Sequence, residues 1–87
     1  MSDAAFRFAS EPVGNKPASA IPGLSAAGAE KLRQADVPTA SIVIGKWLVS
    51  GKDEGKFRQW LETIVDAKNE DLDVICQAVT KYVEAWI

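Results

Sequence analysis

The chain has no histidine and one cysteine, Cys76. Those two absences exclude histidine-based triads, the common zinc-ligand sets and any internal disulfide. A single cysteine fits a reducing compartment. Long apolar runs are also missing. The longest, "SIVIG", is far too short to cross a bilayer, so no membrane-embedded segment is expected. The start, "MSDAAFRF", lacks a basic segment followed by an apolar run, so no signal peptide is expected. There is no period-2 alternation of useful length, no repeat and no low-complexity stretch, which leaves little room for a β-sheet. An excess of positive charge is lacking as well: ten Lys and Arg stand against twelve Asp and Glu. Strong nucleic-acid binders are usually basic, so the overall balance opposes tight non-specific binding and leaves only a local basic patch open.

What is present reads as one small helical domain. Eighty-seven residues suffice for a single core, and 47% apolar with 25% charged residues is ordinary for a globular chain. The first eight residues are compatible with a short helix or a frayed arm. "SEPVGNKP" (10–17) holds two prolines and a glycine and must be an extended or turning connector. The first clear helix runs from Ala26 to about Ala35, with Ser25 as N-cap and Asp36 and Pro38 marking its end. A second starts near Thr39 and runs to about Val49. Its "ASIVIGKWLV" is apolar nearly all round, which predicts burial on two sides, the second against another copy of the chain. Gly45 in its middle costs about 1 kcal/mol against alanine, a cost that a close helix–helix approach would offset. Gly51 and Asp53 read as C-cap and N-cap around the break "SGKDE". A third helix follows from Glu54 to about Asp66, with Phe57, Trp60, Leu61, Ile64 and Val65 on one stripe. The last helix starts after Asn69, read as its N-cap, and carries the stripe Leu72, Ile75, Cys76, Val79, Tyr82, Val83 and Trp86 to a docked C-terminus.

Catalysis is not expected, nor any cofactor or metal. The carboxylates fall at helix starts or on polar faces, and Cys76 sits on an apolar stripe with no base available. One stretch has a functional mechanism. In "AIPGLSAAGAEKL" (20–32), Gly23 turns the chain sharply and the N–H groups from Leu24 through Ala27 then open a helix, which makes an anion site by geometry and dipole. Lys31 lies on the same helix within reach of an adjacent phosphate, as do Arg33 and Lys16 if the fold brings them round. Such a site grips backbone phosphate and reads no base. The alternative is a plain corner packed by Ile21, Leu24 and Leu32. The hairpin by itself does not choose between them.

Four stretches together resemble a known family: "FASEPVGNKP" (8–17), "IPGLSAAGAEKL" (21–32), "ASIVIGKWLVSGKDEGKFRQWLE" (40–62) and "YVEAWI" (82–87). They resemble barrier-to-autointegration factor, the small DNA-bridging family of animal nuclei, over essentially the whole chain. The resemblance implies an all-α fold of five to six helices, residues 1–87 as a single domain, a helix-hairpin-helix at about 18–35, and a symmetric homodimer. It implies sequence-independent binding and bridging of double-stranded DNA. The implied DNA-binding residues are Gly23, Leu24, Ser25, Ala26, Ala27, Gly28, Lys31 and Asn69. The implied dimer seam is Ile44, Gly45, Trp47 and Leu48, and a groove for LEM-domain partners involves Lys52, Asp53, Phe57 and Trp60. A nuclear location with a cytoplasmic pool follows for a eukaryotic source, and a cytoplasmic or nucleoid one otherwise. Ser2 stands where N-terminal serines and threonines of the family are phosphorylated.

The departures from the family pattern are specific. The hairpin usually reads glycine–apolar–glycine, and here the second glycine is Ser25. Ala4 matches a lysine of the N-terminal arm, and Glu70 matches a lysine at the start of the last helix. Lys31 matches. These changes describe a divergent member or paralogue with a weakened DNA site. The alternative is an interaction module that keeps the dimer and the partner groove, has little or no DNA binding, and pairs with LEM-domain proteins or a basic relative.

Overall fold

The computed structural model describes residues 3–87; Ser2 lies outside them. Among the described residues there are five α-helices and no strand. The helices are α1 (Asp3–Ala9), α2 (Ala26–Gln34), α3 (Ala40–Val49), α4 (Glu54–Glu62) and α5 (Asn69–Trp86), with a 3-10 turn at Ala18–Ala20 between α1 and α2. Three helix starts are set by side-chain caps. Ser25 Oγ accepts from the Gly28 N–H, Thr39 Oγ1 from the Ile42 N–H and Asp53 Oδ1 from the Lys56 N–H. Each cap satisfies one donor that the helix geometry leaves orphaned.

Two boundaries differ from the sequence expectation. Helix α4 stops at Glu62 rather than near Asp66. Thr63 Oγ1 donates to the Trp60 carbonyl at 2.6 Å, and the N–H groups of Ile64 and Val65 both turn back to the Leu61 carbonyl. The β-branched run Thr63-Ile64-Val65 thus closes the helix while Val65 still reaches the core. Asn69 is the first residue of α5 rather than its cap. Lys68 holds the cap position in extended geometry, with no side-chain hydrogen bond.

The long α5 is the axis of the core. Leu72, Ile75, Cys76, Val79, Tyr82 and Val83 are buried along it, and Ala78 joins them. Helix α1 is ordered against the C-terminal half of α5. Phe8 packs on Tyr82 with ring centroids 5.5 Å apart, and the Trp86 indole N–H donates to the Ala9 carbonyl at 2.7 Å. The connector at 10–17 is pinned at its middle and near its end: the Val13 N–H donates to the Tyr82 hydroxyl, and the Ala40 N–H to the Lys16 carbonyl. Reciprocally, the Ala18 N–H donates to the Pro38 carbonyl, so the segment entering the 3-10 turn lies beside the start of α3.

Helix α3 divides its apolar residues between two destinations. Ala40, Val43, Ile44 and Trp47 are buried within the protomer, and Trp47 meets Phe57 of α4 edge-on at 5.4 Å. Ile44 and Trp47, expected at a dimer seam, therefore spend their surface on the protomer's own core. The face left outside carries Ile42, Gly45 and Val49, with Val49 85% exposed and Leu48 half-buried beside it. A Cβ at Gly45 would meet no atom within 4 Å. Nothing inside the protomer asks for glycine there.

Candidate functional site

The hairpin is a type II turn built by its own sequence. The Leu24 N–H donates to the Ile21 carbonyl at 3.2 Å, Pro22 takes the second position, and Gly23 takes the third at φ +92°. Ile21 and Leu32 are buried beneath the turn and Leu24 packs against the core, so the corner is structurally anchored. Gly23 is needed for a second reason, supplied from the far end of the chain. A Cβ there would lie 2.6 Å from the Asp71 carbonyl and 2.9 Å from Ile75 Cγ1. The first turn of α5, where Asn69 begins the helix, is thus pressed against the hairpin.

The donors at the turn are fewer than the sequence suggests. The Leu24 N–H is used inside the turn, and the Gly28 N–H is taken by Ser25 Oγ at 3.0 Å. Among the described residues no acceptor meets the N–H groups of Ser25, Ala26 and Ala27. These three exposed residues open α2, where the helix dipole adds its positive end. Of the candidate binding residues, Leu24 and Gly28 therefore serve the turn and its cap, and Ser25, Ala26 and Ala27 keep free donors. Gly28 itself is buried, with Leu24 Cδ2 3.2 Å from where its Cβ would be.

The charges around the turn are mostly self-compensated. Arg33 is bound by Glu30 on the same helix, its Nε donating to Oε2 at 2.9 Å, and this pairing holds the Glu30 carboxyl below its usual range. Lys16 donates to Glu11 at 2.8 Å. Lys31 is exposed and makes no ion pair among the described residues. Glu70 and Asp71 lie in the first turn of α5, the turn that packs on Gly23. Arg58 of α4 binds Asp73 and lies near Glu54, tying the next turn of α5 to α4. The turn therefore presents three free N–H groups and, on its helix, the unpaired Lys31, with the acidic edge of α5, preceded by the exposed Lys68, packed beside it.

The second candidate surface lies around α3 and α4. Phe57 is buried in the core, so it supports this surface without lining it. Lys52 and Asp53 are exposed, and Asp53 is occupied as the α4 cap. Lys52 holds a left-handed backbone at φ +62° directly after Gly51, whose own φ is +75°. Trp60 is half-buried, with the Lys46 ammonium 5.8 Å from its ring centroid. Cys76 is buried, and its thiol is pushed up to about 11 chiefly by desolvation, which leaves it protonated and inert near neutral pH.

Comparison with known proteins gives a family. The family profile described as "Barrier to autointegration factor" matches residues 1–86. The human barrier-to-autointegration factor is 38% identical over 55 residues, which cover 63% of this chain and 62% of the human protein. The zebrafish (Danio rerio) protein of the same name is 33% identical over 63 residues, covering 72% of this chain and 70% of that protein. The Drosophila melanogaster protein is 26% identical over 80 residues, covering 92% and 89%.

Proposed function

Because the chain belongs to the barrier-to-autointegration factor family, we propose that it binds double-stranded DNA through backbone phosphate and, as a symmetric dimer, bridges two duplexes in the nucleus. The observation that carries this reading is the set of free N–H groups at Ser25, Ala26 and Ala27, backed by the unpaired Lys31. A phosphate oxygen placed at the start of α2 accepts from these donors and lies at the positive end of the helix dipole. Backbone N–H groups at a helix start contact phosphate rather than base edges, so such a grip is indifferent to sequence. The exposed strip Ile42–Gly45–Val49 supports the dimer, because a glycine with open space outside lets a second helix approach closely. The seam then consists of Gly45 and Leu48 with Ile42 and Val49.

Affinity is modest on this reading. Ser25 Oγ occupies one orphan donor, and Glu70 and Asp71 repel phosphate beside the turn. Lys31→Glu is expected to weaken binding at least about tenfold and to lower the salt-dependence slope by about one unit. Gel shift at low salt over a salt series measures both. No shift of the wild-type protein at concentrations on the order of tens of micromolar, the range of non-specific binding, would sink the proposal.

The acidic edge favours a second reading, a dimeric interaction module whose partner surface is the Trp60, Lys46 and Lys52 region. LEM-domain proteins and a basic relative are its candidate partners. Pull-down against both separates the two readings: capture without any gel shift selects the module.

A further inference from the structure

A cleft of about 270 Å³ runs along one face of α2, and its two ends differ chemically. It begins at Ala26, whose N–H is free, and passes Ala29 to reach Glu30 and Arg33. These positions are three, four and seven residues from Ala26, so they share one helix face. Pro17, Ala18 and Pro38 form the opposite wall, held there by the hydrogen bond from Ala18 to the Pro38 carbonyl. The walls are small and, apart from Ser19 beside Ala18, apolar, so a sugar-phosphate strand can lie close to them. The far end carries a guanidinium, the side chain suited to bidentate phosphate binding.

We infer that Arg33 is a second phosphate subsite of this protein, continuous with the hairpin, and that Glu30 competes with phosphate for it. The inference rests on the DNA-binding reading above. In the free protein Glu30 meets the guanidinium with both carboxylate oxygens, the arrangement a phosphate would adopt. Both side chains are at least half exposed, 62% for Arg33 and 50% for Glu30. A pair this exposed is weak and exchangeable, so an incoming phosphodiester displaces the carboxylate at small cost. The strand that reaches Arg33 still meets the negative charge of Glu30, and the subsite is held below its full strength.

The test is a double-mutant cycle read by fluorescence anisotropy with a labelled duplex of arbitrary sequence across a salt series. Glu30→Gln is expected to tighten binding roughly two- to fivefold, the range of an exposed ion pair, and to steepen the salt slope by about one unit. Arg33→Gln alone is expected to change affinity little. In the Arg33→Gln background the gain from Glu30→Gln is expected to vanish. Glu84→Gln removes the same charge near the end of α5 and is expected to leave affinity unchanged. An equal gain with and without Arg33 would mean general charge relief and would overturn the subsite while leaving the hairpin reading intact. So would no gain at all. If neither the wild type nor Glu30→Gln binds DNA, the subsite and the DNA-binding reading fall together. All three positions are on the surface, so thermal unfolding serves to exclude misfolding as the cause.

Discussion

Gly23 and Gly45 lie in regions that use glycine in opposite ways. At the hairpin, glycine is demanded twice by the protomer itself: the turn puts Gly23 at φ +92°, and α5 fills the space where its side chain would be. On the outer face of α3, the protomer demands nothing. Gly45 sits in an ordinary helix with open space beyond it. One glycine is explained by contacts within the protomer, and the other has no such explanation. The contrast separates a site whose shape the fold guarantees from a surface to which the proposed dimer assigns a purpose.

The sharpest way to break the contrast is at Gly23. Gly23→Ala is expected to destabilise the protein by roughly 2–4 kcal/mol, because left-handed strain adds to overpacking against backbone that cannot move aside. Urea unfolding measures it, and a loss below about 0.5 kcal/mol, the scale of an ordinary surface change, would mean the hairpin does not depend on its packing against α5. Gly45→Ala is expected to act the other way. The protomer gains about 1 kcal/mol of helix propensity, while the added methyl spaces the paired helices and shifts sedimentation equilibrium toward protomer. A gain in stability with an unchanged dimer would remove Gly45 from the seam. Gly28 lies between the two cases. Its helical backbone is relaxed, yet Leu24 Cδ2 stands 3.2 Å from the missing Cβ. Gly28→Ala is expected to change stability by less than about 0.5 kcal/mol, since the propensity gain offsets the displacement of a flexible side-chain end. A loss as large as that at Gly23 would show that the start of α2 is as rigidly packed as the turn.

Much of the fold was legible because its signals are local. The caps Ser25, Thr39 and Asp53 and the stripe of α5 were readable from spacing alone. The order of α1 was not legible, because it depends on Tyr82 and Trp86, more than seventy residues away in the chain. The division of the α3 side chains between inside and outside was not legible either. Ile44 and Trp47 look the same in sequence as Ile42 and Val49, and only the packing of α4 and α5 decides which pair faces inward. The Glu30–Arg33 pairing has only a three-residue spacing as its signal, and such spacings are common on solvent-facing helices.

The sequence by itself determined that the chain is helical, where three of its helices begin, and that Gly23 makes a turn at the mouth of one of them. These follow from hydrogen bonds and side-chain periodicity within a few residues, which every segment carries with it. The tertiary structure decided how many donors that turn has left to offer, which apolar face of α3 remains outside, and that the acidic first turn of α5 lies against the hairpin. Those outcomes depend on burial and contact between residues distant in the chain, where an N–H or a methyl group has the same sequence whether it is occupied or free.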